Sequence, residues 1–297
     1  MRASKSLAIL VLAHKDVDQL NRLIKSLQHD DVDVYIHIDA KKSRSFRNSV
    51  GGGCFLMPLE ESVDVSWGDI GMPLATVKLM KQASCRCRYK YMLLISGQDY
   101  PVRSISALLR FLTGSNDYLN VISSHRFDSR YLLYYPSWLI GKQSWIRPIR
   151  GLYKFIGMGA LKVFFQRKGG PSTRYWCGSS WWALRGEVIE WMLREIDRDP
   201  RWLSFYANAL NPDEGLFQTL YMNSPYAGEN EDILTYIDWS GHGPSPEVLT
   251  NDDFESVRDS GKFFARKMES GVSDSLLEMI DNAISAESEV DSHVVCD

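Results

Sequence analysis

The sequence predicts an α/β domain with a mostly parallel central sheet and helices on both faces of that sheet. An apolar run at 7–13 is followed by a segment at 17–28 whose apolar residues recur at helical spacing, and a second strand-like stretch covers 33–41. The same alternation of strand and helix returns between 54 and 104. Consecutive strand–helix units of this kind build parallel sheets, which is why we predict this class.

The first strand and helix show the clearest periodicity. Residues 7–13 read LAILVLA, and the helix that follows carries Leu20, Leu23, Ile24 and Leu27 on one face. The basic start and the apolar run are also features of a signal peptide. The run has only seven residues and no clear small-residue cleavage site, so we interpret it as a buried strand.

Two polar residues stand at the carboxyl ends of the first two predicted strands. His14 follows the first strand and Asp39 ends the second. In open α/β sheets, ligands bind at these ends, so both residues are candidates for ligand binding. The alternatives are a hydrogen-bonded edge histidine and a turn aspartate.

A third carboxylate follows a central strand. After a Gly-rich loop at 51–53 and a short strand at 54–57, residues 65–84 predict a helix, and KYMLLISGQDYPVRS at 90–104 predicts a strand, a sharp turn and Asp99. One carboxylate at this turn is too few to hold Mg²⁺ or Mn²⁺.

The composition restricts the class of protein. With 297 residues and 44% hydrophobic content, the chain can bury a sizeable core. A formal charge of −3 argues against a general nucleic-acid binder, which is normally basic. Of the five cysteines only Cys85 and Cys87 are close together, which suggests reduced thiols in a cytosol and gives poor zinc-site spacing.

The charge is unevenly distributed along the chain. From Arg130 to Arg185 there are ten Lys or Arg and no Asp or Glu. Within this stretch, GLYKFIGMGALKVFFQRK at 151–168 is largely apolar with basic residues at intervals, a pattern typical of a segment lying on an anionic membrane. A solvated basic face and a patch that binds an anionic glycan are the alternatives.

The stretch YWCGSSWWALRG at 175–186 predicts a strand that leads into a helix. Its tryptophans either stack on a sugar or pack in the core. Because successive strand residues point to opposite sides, we expect Trp181 and Trp182 to face opposite sides of the strand.

Residues 209–224, ALNPDEGLFQTLYMNS, predict a helix with Asn211 as N-cap, Pro212 at the first position and Glu214 closing a capping box. Asp213 and Glu214 would then stand at the positive end of the helix. A well-capped helix without chemistry explains these residues equally well. The functional interpretation is that Glu214 acts as a general base toward a substrate hydroxyl.

Seven segments in the same order resemble one known group of glycosyltransferases. The group contains the core-2/I-branching β-1,6-N-acetylglucosaminyltransferases and the protein xylosyltransferases. The matching segments are AHKD, HIDAK, VSWGD, ISGQDYPVRS, YWCGSSWWALRGEVIEWML, PDEGLFQTL and KFFARKME, spread from about Leu7 to Met268.

The resemblance implies a GT-A type, Rossmann-like α/β fold in one domain at 1–270. A nucleotide-binding half at about 1–125 precedes an acceptor and catalytic half at about 126–270, with a basic insertion at about 130–175. The remaining residues, 271–297, are expected to form a C-terminal helix and a polar tail.

The resemblance also implies roles for individual residues. Arg266 and Lys267 would bind the pyrophosphate of a UDP-sugar, although a basic cluster of this kind is ordinarily a solvated helix face. Asp39 and the His14 region would hold the nucleotide. The substrate side is expected to include Asp99, Arg126, Ser180, Trp181 and Asp213, with Trp181 near the acceptor and Trp182 facing the core.

These roles predict an inverting transfer of N-acetylglucosamine from UDP to a glycan hydroxyl, with Glu214 as base and a β-linkage as product. Metal-dependent sugar-nucleotide transferases carry two aspartates separated by one residue, a motif missing at Asp99, so we expect no divalent metal and no other cofactor. UDP-xylose is the alternative donor. A glycan- or membrane-binding protein with a vestigial enzyme site is the alternative of another class.

The chain departs from the group in two respects. No arginine stands in LTYIDWSG at 234–241, where the branching N-acetylglucosaminyltransferases use one, so the xylosyltransferase pattern is the better guide to the phosphate site. Animal members are luminal, membrane-anchored and disulfide-rich, whereas we expect neither an anchor nor a disulfide framework in this chain. We therefore expect a bacterial-type cytoplasmic protein, peripheral on the inner membrane face, that takes a glycan or glycolipid acceptor in the synthesis of lipopolysaccharide or another surface glycan.

Overall fold

The computed structural model describes residues 4–42, 44–123, 128–141, 143, 145–159, 162–165, 167, 170–172, 174–241, 243 and 245–294. The described strands are β1 (Ser4–Ala13), β2 (Val32–Ile38), β3 (Phe55–Leu56), β4 (Arg88–Ser96), β5 (Asp99–Pro101), β6 (Asp117–Leu119), β7 (Ile122–Ser123), β8 (Trp176–Cys177), β9 (Trp182–Arg185), β10 (Asn230–Glu231), β11 (Thr235–Ile237) and β12 (Phe264–Arg266).

The described helices are α1 (Val17–Ser26), α2 (Arg44–Asn48), α3 (Gly71–Arg86), α4 (Ile105–Phe111), α5 (Asp128–Leu132), α6 (Ile146–Met158), α7 (Lys162–Phe165), α8 (Gly186–Arg198), α9 (Arg201–Tyr206), α10 (Leu216–Met222), α11 (Phe254–Asp259) and α12 (Asp274–Val294). Short 3-10 turns cover Leu59–Glu61, Ser137–Leu139, Pro212–Glu214 and Asn251–Asp253.

The central sheet has the strand order β10-β6-β9-β4-β1-β2-β3 within the described part of the chain. β1 pairs in parallel with both β2 and β4, and β2 pairs in parallel with β3. β9 runs antiparallel to β4 and β6, while β10 and β6 are parallel. The predicted α/β class with a mostly parallel sheet is therefore confirmed.

Both faces of this sheet are buried under helices. Along β1, Ile9 and Val11 face one apolar cluster while Ala8 and Leu10 face another, as the two-residue period of a strand requires. Helices α1 and α12 belong to the first cluster, and α3, α8 and α10 to the second. Burial on both faces explains why the apolar run of β1 is continuous rather than alternating.

A small second sheet positions the C-terminal basic residues. Its strand order is β11-β12-β5, with β12 antiparallel to β5. Asp99 of β5 is the register partner of Arg266 of β12. β5 and β12 are distant in sequence, so this pairing places the basic residues near the end of the domain next to the turn after β4.

The prediction of one strand at 175–186 is wrong. The stretch forms two short strands, β8 and β9, in different sheets, separated by the loop 178–181. Gly178 begins this loop, and only glycine fits there because a Cβ would lie 1.9 Å from the carbonyl oxygen of Asn120. The loop places Ser180 and Trp181 at a cleft, described below, instead of in a sheet.

The basic stretch is partly helical. Its amphipathic segment at 151–168 contains α7 and most of α6, which begins at Ile146. Among the described residues, no helix is long and apolar enough to cross a membrane. At the other end of the chain, α12 buries Leu276, Leu277 and Ile280 in the same apolar cluster as β1.

Candidate active site

A cleft of about 1200 Å³ opens at the carboxyl ends of β1, β2 and β4. His14 follows β1, Asp39 follows β2, and Ser96 and Gln98 lie at and after the end of β4; all four line the cleft. Parallel strands end at one edge of the sheet, so residues distant in sequence meet there. The structure places His14 and Asp39 where the sequence predicts them, and their role in nucleotide binding stays a prediction.

Asp39 is held by a local turn at the wall of the cleft. Its backbone N–H donates to the carbonyl oxygen of Ala13 at 3.0 Å, and its Oδ1 accepts from the backbone N–H of Lys41 at 2.9 Å. The turn alternative and the ligand interpretation are therefore compatible, because the turn fixes the carboxylate that faces the cleft.

His37 also lines the cleft but is almost fully buried, with 1% exposure. Its Nε2 accepts from the backbone N–H of Val63 at 2.9 Å, which requires a neutral ring nitrogen. Desolvation lowers the pKa of His37 to about 4, against a smaller opposing effect of Asp39. The ring is therefore neutral at physiological pH.

Asp99 does not face the cleft, which corrects the prediction that it contacts the donor sugar or acceptor. It has no exposed surface, and its Oδ1 lies 3.2 Å from Nε of the nearly buried Arg266. Its Oδ2 accepts from the backbone N–H of Ser96 at 2.9 Å. Burial raises the pKa of Asp99 and Arg266 opposes that change, while burial lowers the pKa of Arg266 and Asp99 opposes it. A charge this deeply buried persists because it is paired, so Asp99 holds Arg266 in place.

The ring of Trp181 contacts the same guanidinium. The Arg266 Cζ lies 4.1 Å from the centroid of the Trp181 ring, a cation–π arrangement at the cleft wall. Trp182 points the opposite way, is 1% exposed and packs on Phe217. The predicted core position of Trp182 is confirmed. The observed neighbour of Trp181 is Arg266, and its contact with an acceptor stays a prediction.

Lys267 follows Arg266 and completes a basic pair in the cleft. Its Nζ donates to Oγ of Ser245 at 2.7 Å, and both residues line the cleft. Arg266 ends strand β12 and is 7% exposed, so the alternative of a solvated helix face is wrong for it. The second residue of the predicted phosphate-binding pair thus lies beside the first in one cavity.

The predicted capping box at Asn211 does not form. Pro212–Glu214 is a 3-10 turn, and α10 begins only after Gly215. Asn211 has a φ of 53°, in the left-handed region, and makes no side-chain cap. Asn tolerates this region better than most residues, which lets the chain turn sharply before the two carboxylates. Glu214 is therefore free of a capping role and points into the cleft.

Glu214 is engaged on both oxygens. Arg130 Nη1 donates to its Oε2 in a short ion pair, and Asn211 Nδ2 donates to its Oε1 at 3.3 Å. A carboxylate offers about four lone-pair sites, so these two contacts leave room for a hydroxyl donor. The arrangement is chemically competent for general-base chemistry.

Asp213 lies next to Glu214 and is held by the loop after β8. Ser180 Oγ donates to its Oδ2 at 2.7 Å. Burial, followed by the charge of Glu214, raises the pKa of Asp213 to about 6. Like charges at neighbouring carboxylates disfavour double ionisation, which Arg130 and Ser180 counteract.

Comparison with known proteins decides the family. A sequence profile of the Core-2/I-Branching enzyme family matches residues 7–261, which is most of the chain. The chain belongs to the Core-2/I-Branching enzyme family. The resemblance predicted from its seven segments is thereby confirmed.

Curated relatives and solved structures resemble the chain at low sequence identity. Xylosyltransferase 2 of Rattus norvegicus is 26% identical over 305 residues, which cover 92% of this chain and 33% of that protein. Xylosyltransferase 1 of Homo sapiens is 23% identical over 299 residues, covering 92% of this chain and 30% of that protein. The chain spans about one third of the length of the curated relatives it matches. The galactosyltransferase LgtC aligns with a TM-score of 0.38 at 9% identity, covering 89% of this chain and 88% of that chain.

In this Core-2/I-Branching family member, one cleft collects most of the residues selected from the sequence. Asp99 is buried beneath it, and Arg126 lies outside the described residues. Those that line the cleft are His14, Asp39, Ser180, Trp181, Asp213, Glu214, Arg266 and Lys267.

Three cleft cations were not singled out from the sequence. Arg130, Arg150 and Lys154 all line the cleft, and Arg130 pairs with Glu214. All three fall in the stretch without acidic residues. That absence of acidic neighbours was the available signal, because a basic residue without a local partner is open to a distant carboxylate or an anionic ligand.

Within the described residues, no group of three His, Cys, Asp or Glu is arranged to hold a metal ion. The expectation of metal-independent chemistry stays a prediction, because it concerns the reaction and not the cleft alone.

Proposed function

We propose that this protein is an inverting glycosyltransferase that moves N-acetylglucosamine from UDP-N-acetylglucosamine to a hydroxyl of a glycan acceptor and forms a β-linkage. The observation that carries the proposal is that one cleft contains both a carboxylate, Glu214, and a pair of cations, Arg266 and Lys267. Membership in the Core-2/I-Branching enzyme family supports the same conclusion.

The reaction is a single displacement. The acceptor hydroxyl gives its proton to Glu214 as its oxygen forms a bond to the anomeric carbon of the donor sugar. The bond between that carbon and the diphosphate breaks, and its electron pair leaves with UDP. Attack from the side opposite to the leaving group inverts an α-linked donor to a β-linked product. A positioned general base of this kind is worth about 10² to 10⁴ in rate.

Negative charge develops on the diphosphate as it leaves. Arg266 and Lys267 supply fixed positive charge, the first as a planar fork and the second as a point charge. The pairing of Arg266 with Asp99 and Trp181 keeps the guanidinium in one orientation before the reaction, so little reorganisation is needed. We therefore propose that these cations stabilise the leaving group without a divalent metal.

The neighbours of Glu214 orient it. Arg130 and Asn211 each donate to one of its oxygens, and Ser180 fixes the adjacent Asp213. Asp39 and His14, at the ends of β2 and β1, form the part of the cleft in which we place the nucleoside.

A second donor is supported by the relatives. Curated relatives of the chain carry the name xylosyltransferase, so UDP-xylose is the alternative donor sugar. We further propose a role in assembling lipopolysaccharide or another surface glycan on the cytoplasmic face of a membrane, with peripheral contact between the protein and anionic lipid.

The proposal is tested by measuring UDP release from a panel of UDP-sugars, with and without EDTA. Release from UDP-N-acetylglucosamine that is unaffected by EDTA is the expected result. Release from UDP-xylose alone would replace the donor and keep the reaction. If the protein bound no UDP-sugar, the glycosyltransferase proposal would be refuted. The alternative of a glycan- or membrane-binding protein would then stand.

A further inference from the structure

Helix α6 presents a stripe of large apolar side chains to solvent. Trp145, just before the helix, and Ile149, Leu152 and Phe155 within it are spaced by four, three and three residues and so share one side. Leu152 is 60% exposed and Phe155 is 80% exposed. Large apolar side chains are normal on a surface singly, whereas a contiguous group marks a binding surface.

Two segments that pack against α6 carry further exposed apolar side chains. Trp138, in the 3-10 turn before α6, is 57% exposed, and Phe164 of the short helix α7 is 83% exposed. We call these six residues the α6 apolar face: Trp138, Trp145, Ile149, Leu152, Phe155 and Phe164. Two tryptophans beside aliphatic and phenyl side chains suit the boundary between lipid headgroups and acyl chains.

The surrounding charge favours an anionic bilayer over a second copy of the chain. Residues 130–185 contain ten Lys or Arg and no acidic residue, and Arg147 is exposed on α6 itself. In a two-fold dimer the same patch would meet itself, which brings like charges together. An anionic lipid surface instead attracts the exposed cations of this stretch, Arg147 and Arg174.

The opposite side of α6 belongs to the cleft. Arg150 and Lys154 line it, and the Arg150 guanidinium lies 5.7 Å from the centroid of the Trp67 ring. Desolvation, followed by the charges of Arg130 and Arg150, lowers the pKa of Lys154. Three cations thus gather at this end of the cleft, and an anionic ligand would relieve their mutual repulsion. Only the diameter of one helix, about 10–12 Å, separates Arg150 and Lys154 from the apolar residues on the other side of α6.

We propose that α6 is an interfacial helix that docks on an anionic bilayer, and that the acceptor is a membrane-embedded glycolipid whose anionic group enters the cleft beside Arg150 and Lys154. The docking proposal rests only on the exposure of the α6 apolar face and on the charge around it. The acceptor class rests on the proposed function. Docking brings the cleft to the headgroup layer, where such an acceptor presents its sugar.

Docking is tested by sedimentation with vesicles of phosphatidylcholine alone or mixed with phosphatidylglycerol. We expect binding to the anionic vesicles, weakened at least about tenfold in the double variant L152S/F155S because two apolar side chains leave the interface. The matched control is V272S/M279S, which removes two exposed apolar residues elsewhere and should bind like the wild type. R147Q should weaken binding to the anionic vesicles by roughly fivefold.

The same variants separate docking from chemistry. UDP release from a donor in solution should be equal in L152S/F155S and the wild type, which also shows that the variant is folded. Absence of vesicle binding by the wild type would overturn docking. A dimer that L152S/F155S converts to a monomer would also overturn it and would make a second copy of the chain the occupant. Absence of UDP release from every donor would instead refute the proposed function and leave docking intact.

The acceptor class is tested with a lipid-linked saccharide fraction from bacterial membranes in phosphatidylglycerol vesicles. The comparison is the same fraction after mild acid has released the lipid and its phosphate. We expect transfer of labelled sugar to the intact fraction only, and R150Q/K154Q should raise the acceptor KM more than it lowers kcat. Equal transfer to the released saccharides would overturn this assignment.

Discussion

Asp99 and Arg266 face each other across the antiparallel pair of β5 and β12, with Oδ1 of Asp99 3.2 Å from Nε of Arg266 and both side chains buried. Trp181 lies over the same guanidinium. A cation in this setting has its orientation determined before any ligand arrives. The pairing also defines the role of Asp99, the carboxylate at the turn after β4. Asp99 holds Arg266 in a fixed position at the wall of the cleft.

The first prediction concerns the stability of this pair. D99N preserves the shape of the side chain but leaves the guanidinium of Arg266 buried without a counter-charge. Breaking a buried pair from one side costs about 3–5 kcal/mol, so we expect the free energy of unfolding in urea to fall by about that amount. The double variant D99N/R266M removes the stranded charge and should regain much of the loss. A D99N protein as stable as the wild type would show that Asp99 does not hold Arg266.

The second prediction concerns Glu214. E214Q keeps the size of the side chain and can still contact Arg130 and Asn211, but it cannot take a proton. We expect kcat to fall by about 10² to 10⁴ while UDP affinity is retained. E255Q, which alters an exposed carboxylate paired with Arg258, is the matched control and should leave both quantities unchanged. Near-normal turnover of E214Q would remove Glu214 from the reaction.

The third prediction concerns Lys267. K267A removes a point charge from the cleft but not the buried pair that supports Arg266. Hydrogen bonds to charged groups contribute about 1.5–3 kcal/mol, so the Kd for UDP measured by calorimetry should rise by roughly 10- to 150-fold. K81A, which removes an exposed lysine paired with Asp197, serves as control. Unchanged UDP affinity in K267A would place the diphosphate elsewhere.

Local pattern was sufficient to predict the sheet and one edge of the site. The apolar run of β1 and the helical spacing in α1 locate His14, and the next strand locates Asp39, because parallel strands end together. These features depend on short stretches of sequence. The core position of Trp182 was also predicted, although the prediction treated Trp181 and Trp182 as neighbours on one strand and Trp181 lies in the loop before β9.

The remaining site residues depend on pairings that no short stretch encodes. The expectation that Asp99 faces the substrate was wrong. Its partner Arg266 comes from a strand near the end of the domain, and no local pattern indicates that pairing. Glu214 was expected to close a capping box, because Asn-Pro-Asp-Glu favours one locally. The left-handed Asn211 and the break at Gly215 override that preference and direct Glu214 to Arg130.

The last prediction follows from His37. Its pKa is about 4 in the folded protein and near 6.5 when unfolded, so the unfolded chain binds a proton first as the pH falls. The stability that His37 contributes is complete above pH 6.5 and is lost as the pH falls toward 4, a change of about 3 kcal/mol. H37Q keeps an acceptor for the Val63 N–H but does not titrate. The free energy of unfolding should therefore fall more steeply between pH 6.5 and 4 in the wild type than in H37Q. If the free energies of the two proteins fell in parallel with pH, the ring would become charged without leaving its site.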